Sequence, residues 1–344
     1  MTEHENEIVT AVKLADDRGR LLNPQARGWS RLPMHTANLS GVWGRTKRWD
    51  YWAILAGDLI VSGVYFDVDY LGTVDVSWID INARTKGGRG FSTVDSRGIT
   101  LPDVAGATPL TVHHKNLTFA VHDDASGDTL IAVTWTGQSG KSASLKAGID
   151  LPPGHASMTV VIPWTDKRFQ FTTKHQARPA HGELVVGDRR WTFGGGDNEA
   201  WGVIDIGRGR WPYHTRCNWG GSAGHSSHGL VIGLQFGGKW TEGTGYTQNA
   251  LLVNGRLSKI GTELAWEYSW YTPMKPWHVI DPNGQIDVEL LPRYDNHSKI
   301  DLKAMSRETH HVFGTWSGTI TDDNGTRFDL DHMQGFAEES RARW

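Results

Sequence analysis

The stretch Ala200 to Trp219, AWGVIDIGRGRWPYHTRCNW, sets one carboxylic acid among tryptophan, tyrosine, histidine and arginine. Trp201, Val203, Ile204 and Ile206 make the run apolar in the manner of a strand, and the pair Gly207 and Gly209 then breaks it. Asp205 therefore lies inside or at the end of an apolar strand, where an ionised side chain is costly unless paired or hydrogen-bonded. Arg208, Arg210 and Arg216 are the nearest candidate partners. Two readings follow: a buried structural ion pair, or a catalytic acid whose proton affinity is set by its surroundings. Asp50, Tyr213 and His214 join Asp205 as candidate catalytic groups, and Trp52, Trp201, Trp211, Arg216, Trp219 and Trp240 as candidate substrate-binding groups.

The chemistry these residue types suit is protonation of carbon. Adding water to an unactivated alkene means delivering a proton to carbon and surviving a carbocation. That calls for a carboxylic acid kept protonated by desolvation, and for π faces that stabilise a cation. With 17 Trp in the chain, an aromatic-lined interior around Asp205 meets both needs, whereas arginines turned toward Asp205 would favour its charged form. A hydratase, dehydratase or isomerase without a cofactor is the first functional expectation. A carbohydrate-active lyase or hydrolase is the second, with paired carboxylates drawn from Asp50, Asp67, Asp69, Glu199 or Asp205 and indoles stacking on sugar faces. A carrier of an apolar ligand is the third, and it would have no need of a buried acid.

Composition narrows the field. A chain of 344 residues with 38% hydrophobic and 21% charged content reads as an ordinary soluble globular protein. The formal charge of −3 and the absence of long basic runs argue against nucleic acid or an anionic membrane as partner, and the alkene reading calls instead for a small apolar molecule. The single cysteine, Cys217, excludes an intrachain disulfide framework and makes the cytoplasm the default location. No signal peptide is expected from MTEHENEIVT, and no window holds the roughly 18 apolar residues of a spanning helix. The glycine clusters do not follow Gly-x-Gly-x-x-Gly spacing and no Gly-Lys-Ser/Thr element is present, so no nucleotide cofactor is expected. His225 and His228 lie in a small, polar segment read as a loop, without carboxylate or thiol partners at ligand spacing, so no metal is expected either. Cys217 and His214 form a further but weakly supported nucleophile–base pair.

The elements that must position these residues are strands. Tyr51–Ile54 and Ile60–Tyr65 flank a Gly57-Asp58 turn, and a period of two continues from Val74 to Asp80. Leu117–Val121, Thr129–Thr136, Ser142–Gly148 and Thr159–Val161 repeat the pattern between turn signals, one of them Gly137-Gln138-Ser139-Gly140. Hairpin signals recur at Gly187-Asp188, Asn254-Gly255, Pro282-Asn283-Gly284 and Asp323-Asn324-Gly325. The expectation is an all-β chain of two barrel or sandwich lobes, residues 1–170 and 171–344, around an aromatic-lined cavity, with short peripheral helices and more than about a third of residues in strands.

Certain motifs carry a family resemblance. Gly28-Trp29-Ser30-Arg31, Lys47-Arg48-Trp49-Asp50-Tyr51-Trp52, Tyr70-Leu71-Gly72, the run from Trp201 through Asp205 to Trp219, and Gly237-Gly238-Lys239-Trp240-Thr241 resemble a bacterial family known only as a domain of unknown function. That family in turn resembles, more distantly, the carotenoid 1,2-hydratases, through Val203-x-Asp205 followed by Gly209, Pro212 and Trp219. The resemblance implies two lipocalin-like lobes, an isoprenoid substrate, and Asp205 as the acid that protonates its double bond. The hydratases carry a tyrosine where this chain has Val203.

Overall fold

A computed structural model describes residues 5–344 apart from 108, 138, 139, 197, 303, 304 and 323. The expected all-β architecture is what it shows. Strands take up 61% of the chain, and the described helix is a single 3-10 turn at Pro24–Ala26. No helix is long and apolar enough to cross a membrane. The expected turn at Gly57-Asp58 joins Thr46–Ala56 to Leu59–Asp67, and Asn254-Gly255 joins Asn249–Val253 to Arg256–Ile260. Of the turn residues anticipated from sequence, Gln138, Ser139 and Asp323 lie outside the described residues.

Two lobes result, one a nearly closed barrel and the other a half-barrel. The barrel sheet runs in the order Thr85–Val94, Leu71–Asp80, Leu59–Asp67, Thr46–Ala56, Trp201–Arg210, Arg168–Val186, Ser142–Ile149, Thr129–Thr136, Leu117–Asp123, Leu110–His114. The half-barrel is centred on His214–His225, Arg327–Arg343 and Ser306–Thr321. Pairing in both sheets is antiparallel, so alternate side chains face opposite sides. Arg168–Val186 is long enough to change partners midway. Its pairing with Trp201–Arg210 shifts register between His175 and Arg178, where Ala177 takes φ 55. The bulge bends the strand and lets its second half pair with Ser142–Ile149.

Each lobe has its own core. Ile54, Val61, Val74, Phe119, Val133 and Leu145 fill the barrel, and Phe236, Trp277, Val288 and Trp316 fill the half-barrel. A third cluster joins them: Ala53, Leu55, Ile60, Ile79 and Val203 of the barrel's outer face pack on Trp219, Phe313 and Phe336 of the other sheet. Each large side chain buried this way contributes on the order of 1.5–3 kcal/mol, so the sheets are held face to face. Val203 and Asp205 are two apart on one strand, and the apolar contact therefore continues directly into the site.

Two local expectations give way. The Gly207/Gly209 pair does not break the strand, which continues to Arg210. Gly207 is there to make room: a Cβ would lie 2.2 Å from the Trp49 indole. The glycine-rich segment read as a loop is strand as far as His225. Ring atoms of Trp266, Trp316 and Phe336 occupy the space beside Gly220 and Gly221 that side chains would otherwise need.

Candidate active site

Between the two sheets lies a cavity of about 320 Å³. Ladder register builds its wall. Tyr51 pairs with Asp205, Asp205 with Lys174, Tyr51 with Val64, and Val64 with Asp75, so one row across four strand pairings carries two acids, an amine and a phenol. From the facing sheet come Cys217 and Trp219, Glu338 and Ser340, and Arg307, Thr309 and His311. Trp49, Phe66, Trp211, Trp240, Phe313 and Trp344 complete an aromatic lining. An open groove of about 840 Å³ shares Thr215, Trp240, Arg307 and Ala342 with this cavity and gives it a route to the surface. Size and lining suit one small organic molecule.

Asp205 is buried and fully engaged. Lys174 Nζ lies 2.9 Å from Oδ1, the Thr172 hydroxyl donates to Oδ1 at 2.9 Å, and the Trp49 indole donates to Oδ2 at 3.0 Å. The Lys174 amine and two further donors thus hold both oxygens of the Asp205 carboxylate. Lys174 Nζ also sits 4.0 Å from the Trp219 ring centroid, so this indole face already supports a cation.

Burial shifts other titratable groups of the cavity. Glu338, 7% exposed, is pushed above the usual carboxylate range by burial first, with the Asp205 charge adding to it against Arg307 and Lys174. Burial alone raises Asp75 to about 6. Cys217 is pushed up to about 12, by burial and then by Glu338, and remains a thiol. Tyr51 is raised for the same two reasons, burial first. His311, whose Nδ1 lies 3.4 Å from Glu338 Oε2, is lowered to about 3 by burial and Arg307 and stays neutral. The cavity thus combines a carboxylate anchored by an ion pair and two hydrogen bonds with two buried carboxyl groups, Glu338 and Asp75, whose proton affinity burial raises.

The structure brings four of the expected site residues to this cavity: Asp205, Trp211, Trp219 and Trp240. It places the other six elsewhere. Asp50 and Trp52 point through the opposite face of the sheet into the barrel, because they alternate with Tyr51. Trp201 packs with Ala177 and Ala223 beside His225, in a separate pocket. Tyr213 is exposed, while His214 lines the outer groove, facing away from Cys217 three residues on. Arg216 also lines that groove and is held by Glu339 at 2.8 Å. None of the three arginines pairs with Asp205: Arg208 binds Asp50 at 2.5 Å and Arg210 binds the carbonyls of Gly19, Arg20 and Ser40.

Lys47, Trp49, Tyr51, Asp75, Lys174, Arg307, His311 and Glu338 were not singled out for the site by sequence reasoning. A cross-strand partner such as Lys174 leaves no local signal, whereas Trp49 and Tyr51 could have been found by alternation once Asp205 was paired with them. Among the described residues, His297, Glu308 and His310 offer possible metal-ligand atoms within 4.8 Å of one another. Lys299 engages Glu308 at 3.1 Å and Asp295 engages His310 at 2.8 Å in that cluster. His225 Nδ1 lies 2.5 Å from Glu199, and His228 is exposed.

No curated protein matches the chain. Among solved structures it is similar to a protein assigned as AttH from Nitrosomonas europaea, at 11% identity and a TM-score of 0.48, covering 86% of this chain and 92% of that one. It is also similar to kievitone hydratase from Nectria haematococca, at 10% identity and 0.46, covering 88% and 89%, and to CghA, at 9% and 0.41, covering 98% and 97%. A family model described as a domain of unknown function (DUF2804) matches residues 5–344, and the chain belongs to that family.

Proposed function

We propose that this protein is a cofactor-independent hydratase or dehydratase that protonates a carbon–carbon double bond of a small, apolar, isoprenoid-like molecule in the intersheet cavity, in the cytoplasm. The observation that carries the reading is the pairing, within one aromatic-walled space, of a buried glutamate from one sheet, Glu338, with an aspartate, Asp205, anchored on the other. Glu338 is the proton donor and Asp205 the base, which reverses the role expected of Asp205 from sequence. Proton transfer from Glu338 to one alkene carbon leaves a cation, which the faces of Trp219, Trp211 and Tyr51 stabilise. Water attacks the second carbon and gives its proton to Asp205, which its ion pair with Lys174 holds in place on the cavity wall. Exchange through the groove restores both groups. Dehydration runs the same steps in reverse.

The test is incubation with a panel of acyclic and cyclic terpenes in heavy water without added cofactor. The expected product is an alcohol carrying deuterium on the carbon beside the new hydroxyl. A ligand that binds without turnover would favour the carrier reading, and release of sugars from oligosaccharides would favour the carbohydrate-active one.

A further inference from the structure

Three lysines are buried among the described residues, and they are not alike. Lys174 is paired with Asp205, and Lys259 with Glu5 at 2.8 Å and with the Thr247 hydroxyl at 2.6 Å. Lys47, 4% exposed, has an Nζ without a hydrogen-bond partner and without a carboxylate. It projects into the intersheet cavity two residues before Trp49 on the same strand face. Its Nζ lies 3.6 Å from the Trp344 ring centroid and 5.9 Å from that of Trp211. The charges that act on it are cationic: Arg45 just before its own strand and Arg307 on the facing sheet. Of the acids lining the same cavity, Asp205 is committed to Lys174, and neither Asp75 nor Glu338 lies within hydrogen-bond reach of the Lys47 amine. Burial first, then Arg45 and Arg307, push the Lys47 amine down to about 5. The two indole faces would favour an ammonium, but they replace neither its water nor a counter-ion. A free lone pair on a primary amine inside an aromatic chamber is a nucleophile for carbonyl carbon.

We propose that Lys47 is a carbonyl-capture site that takes the aldehyde or ketone group of a small apolar molecule as an imine. The Nζ lone pair forms the C–N bond while the carbonyl π electrons move to oxygen, which takes up a proton. The resulting carbinolamine loses that oxygen as water, the two hydrogens of which balance the two lost from the amine, and the C=N bond forms. Hydrolysis reverses the sequence. The capture site does not depend on the hydration reading, because it requires the amine and its aromatic walls and no turnover at an alkene.

The wild-type protein is incubated with cinnamaldehyde at about pH 6.5, where ordinary lysines near 10.4 are almost wholly protonated, and the imine is reduced with cyanoborohydride. Peptide mapping should find a secondary amine on Lys47, heavier by the aldehyde less one oxygen, at about ten times or more the occupancy of exposed Lys13 and Lys141. The adduct should vanish at that position in Lys47→Arg, which keeps the bulk. Lys47 labelled no more than Lys13 and Lys141 overturns the proposal. That comparison is made on the wild type, so poor folding of the variant leaves it decisive. Alkene hydration in heavy water is read separately, so either reading can fail alone.

Discussion

One sheet wall separates two chambers that treat charge in opposite ways. On the barrel side, a smaller cavity of about 170 Å³ is lined by Asp50, Trp52, His175 and Arg178. Arg208, fully buried below it, donates to the carbonyls of Trp49, Gly207 and Pro102 as well as binding Asp50. Arg178 likewise donates to the carbonyls of Gly127, Ile149 and Asp150. Those guanidiniums close gaps in backbone bonding and have little capacity left for a ligand. On the intersheet side, Lys47 Nζ has no hydrogen-bond partner and Glu338, its proton affinity raised by burial, lines open space. Alternate residues of the same two strands, Arg208 and Asp50 against Asp205 and Tyr51, supply both chambers. Burial of charge is thus common to both, and only the presence of spare capacity beside a void separates chemistry from architecture.

The largest contrast is expected from Glu338→Gln set against Arg208→Met. The first keeps shape and removes the transferable proton, so turnover should fall by about 10²–10⁴ with unfolding in urea hardly changed. Asp205→Asn should lower turnover as well, and in addition should cost stability by leaving Lys174 buried without its counter-charge. Arg208→Met leaves Asp50 buried and unpaired and should cost about 3–5 kcal/mol of stability. Full activity in Glu338→Gln would remove the acid from the scheme. An Arg208→Met protein as stable as wild type would erase the distinction between the chambers.

A smaller effect is expected of Asp75. Burial raises its carboxyl from 3.8 to about 6, so the folded state binds a proton that the unfolded chain releases at lower pH. Its contribution to stability is complete below about pH 4 and is lost as pH rises through about 6, the difference being worth roughly 3 kcal/mol. Asp75→Asn cannot titrate. Urea unfolding at about pH 4 and about pH 7 should therefore show the wild type losing stability relative to the variant, by roughly that amount. Parallel pH profiles would mean that water reaches Asp75 in the folded protein.

The contrast also explains what could be read beforehand. Strands such as Leu71–Asp80 were legible because one face is apolar and one polar, and the turns because Gly57-Asp58 and Asn254-Gly255 suit only sharp reversals. Asp205 was legible because a lone acid in an apolar run needs a reason. Its partner was not: Lys174 lies on another strand, and the nearby arginines, which looked the natural choice, alternate away or reach past it. Glu338 and Glu339 carried no local signal: neighbours on a strand face opposite ways, and one goes to the cavity while the other binds Arg216. The glycines misled for a related reason, since the rings that fill their places, Trp49 beside Gly207 and Phe336 beside Gly221, come from distant segments.

The smallest expected effect is spectroscopic, and it places the ligand on one side of the wall. Trp211 and Trp219 line the intersheet cavity, whereas Trp52, only six residues after Thr46 on a strand that also supplies Lys47 and Trp49, faces the barrel. Each is one of 17 tryptophans, so any single replacement removes only a small share of the emission. Titration with a non-reacting terpene alcohol should quench part of that emission, because the alcohol lies against the indoles it touches. Trp211→Phe and Trp219→Phe should each reduce the quenched fraction, and Trp52→Phe should leave it unchanged. Trp219→Phe should have a further consequence: a phenyl ring under Lys174 Nζ makes a weaker cation–π contact than the indole, whose whole worth is about 0.5–2 kcal/mol, and urea stability should fall by part of that amount. Quenching that survives in both cavity variants but disappears in Trp52→Phe would put the ligand inside the barrel, among Asp50, His175 and Arg178, and the acid–base site would have to be sought there instead.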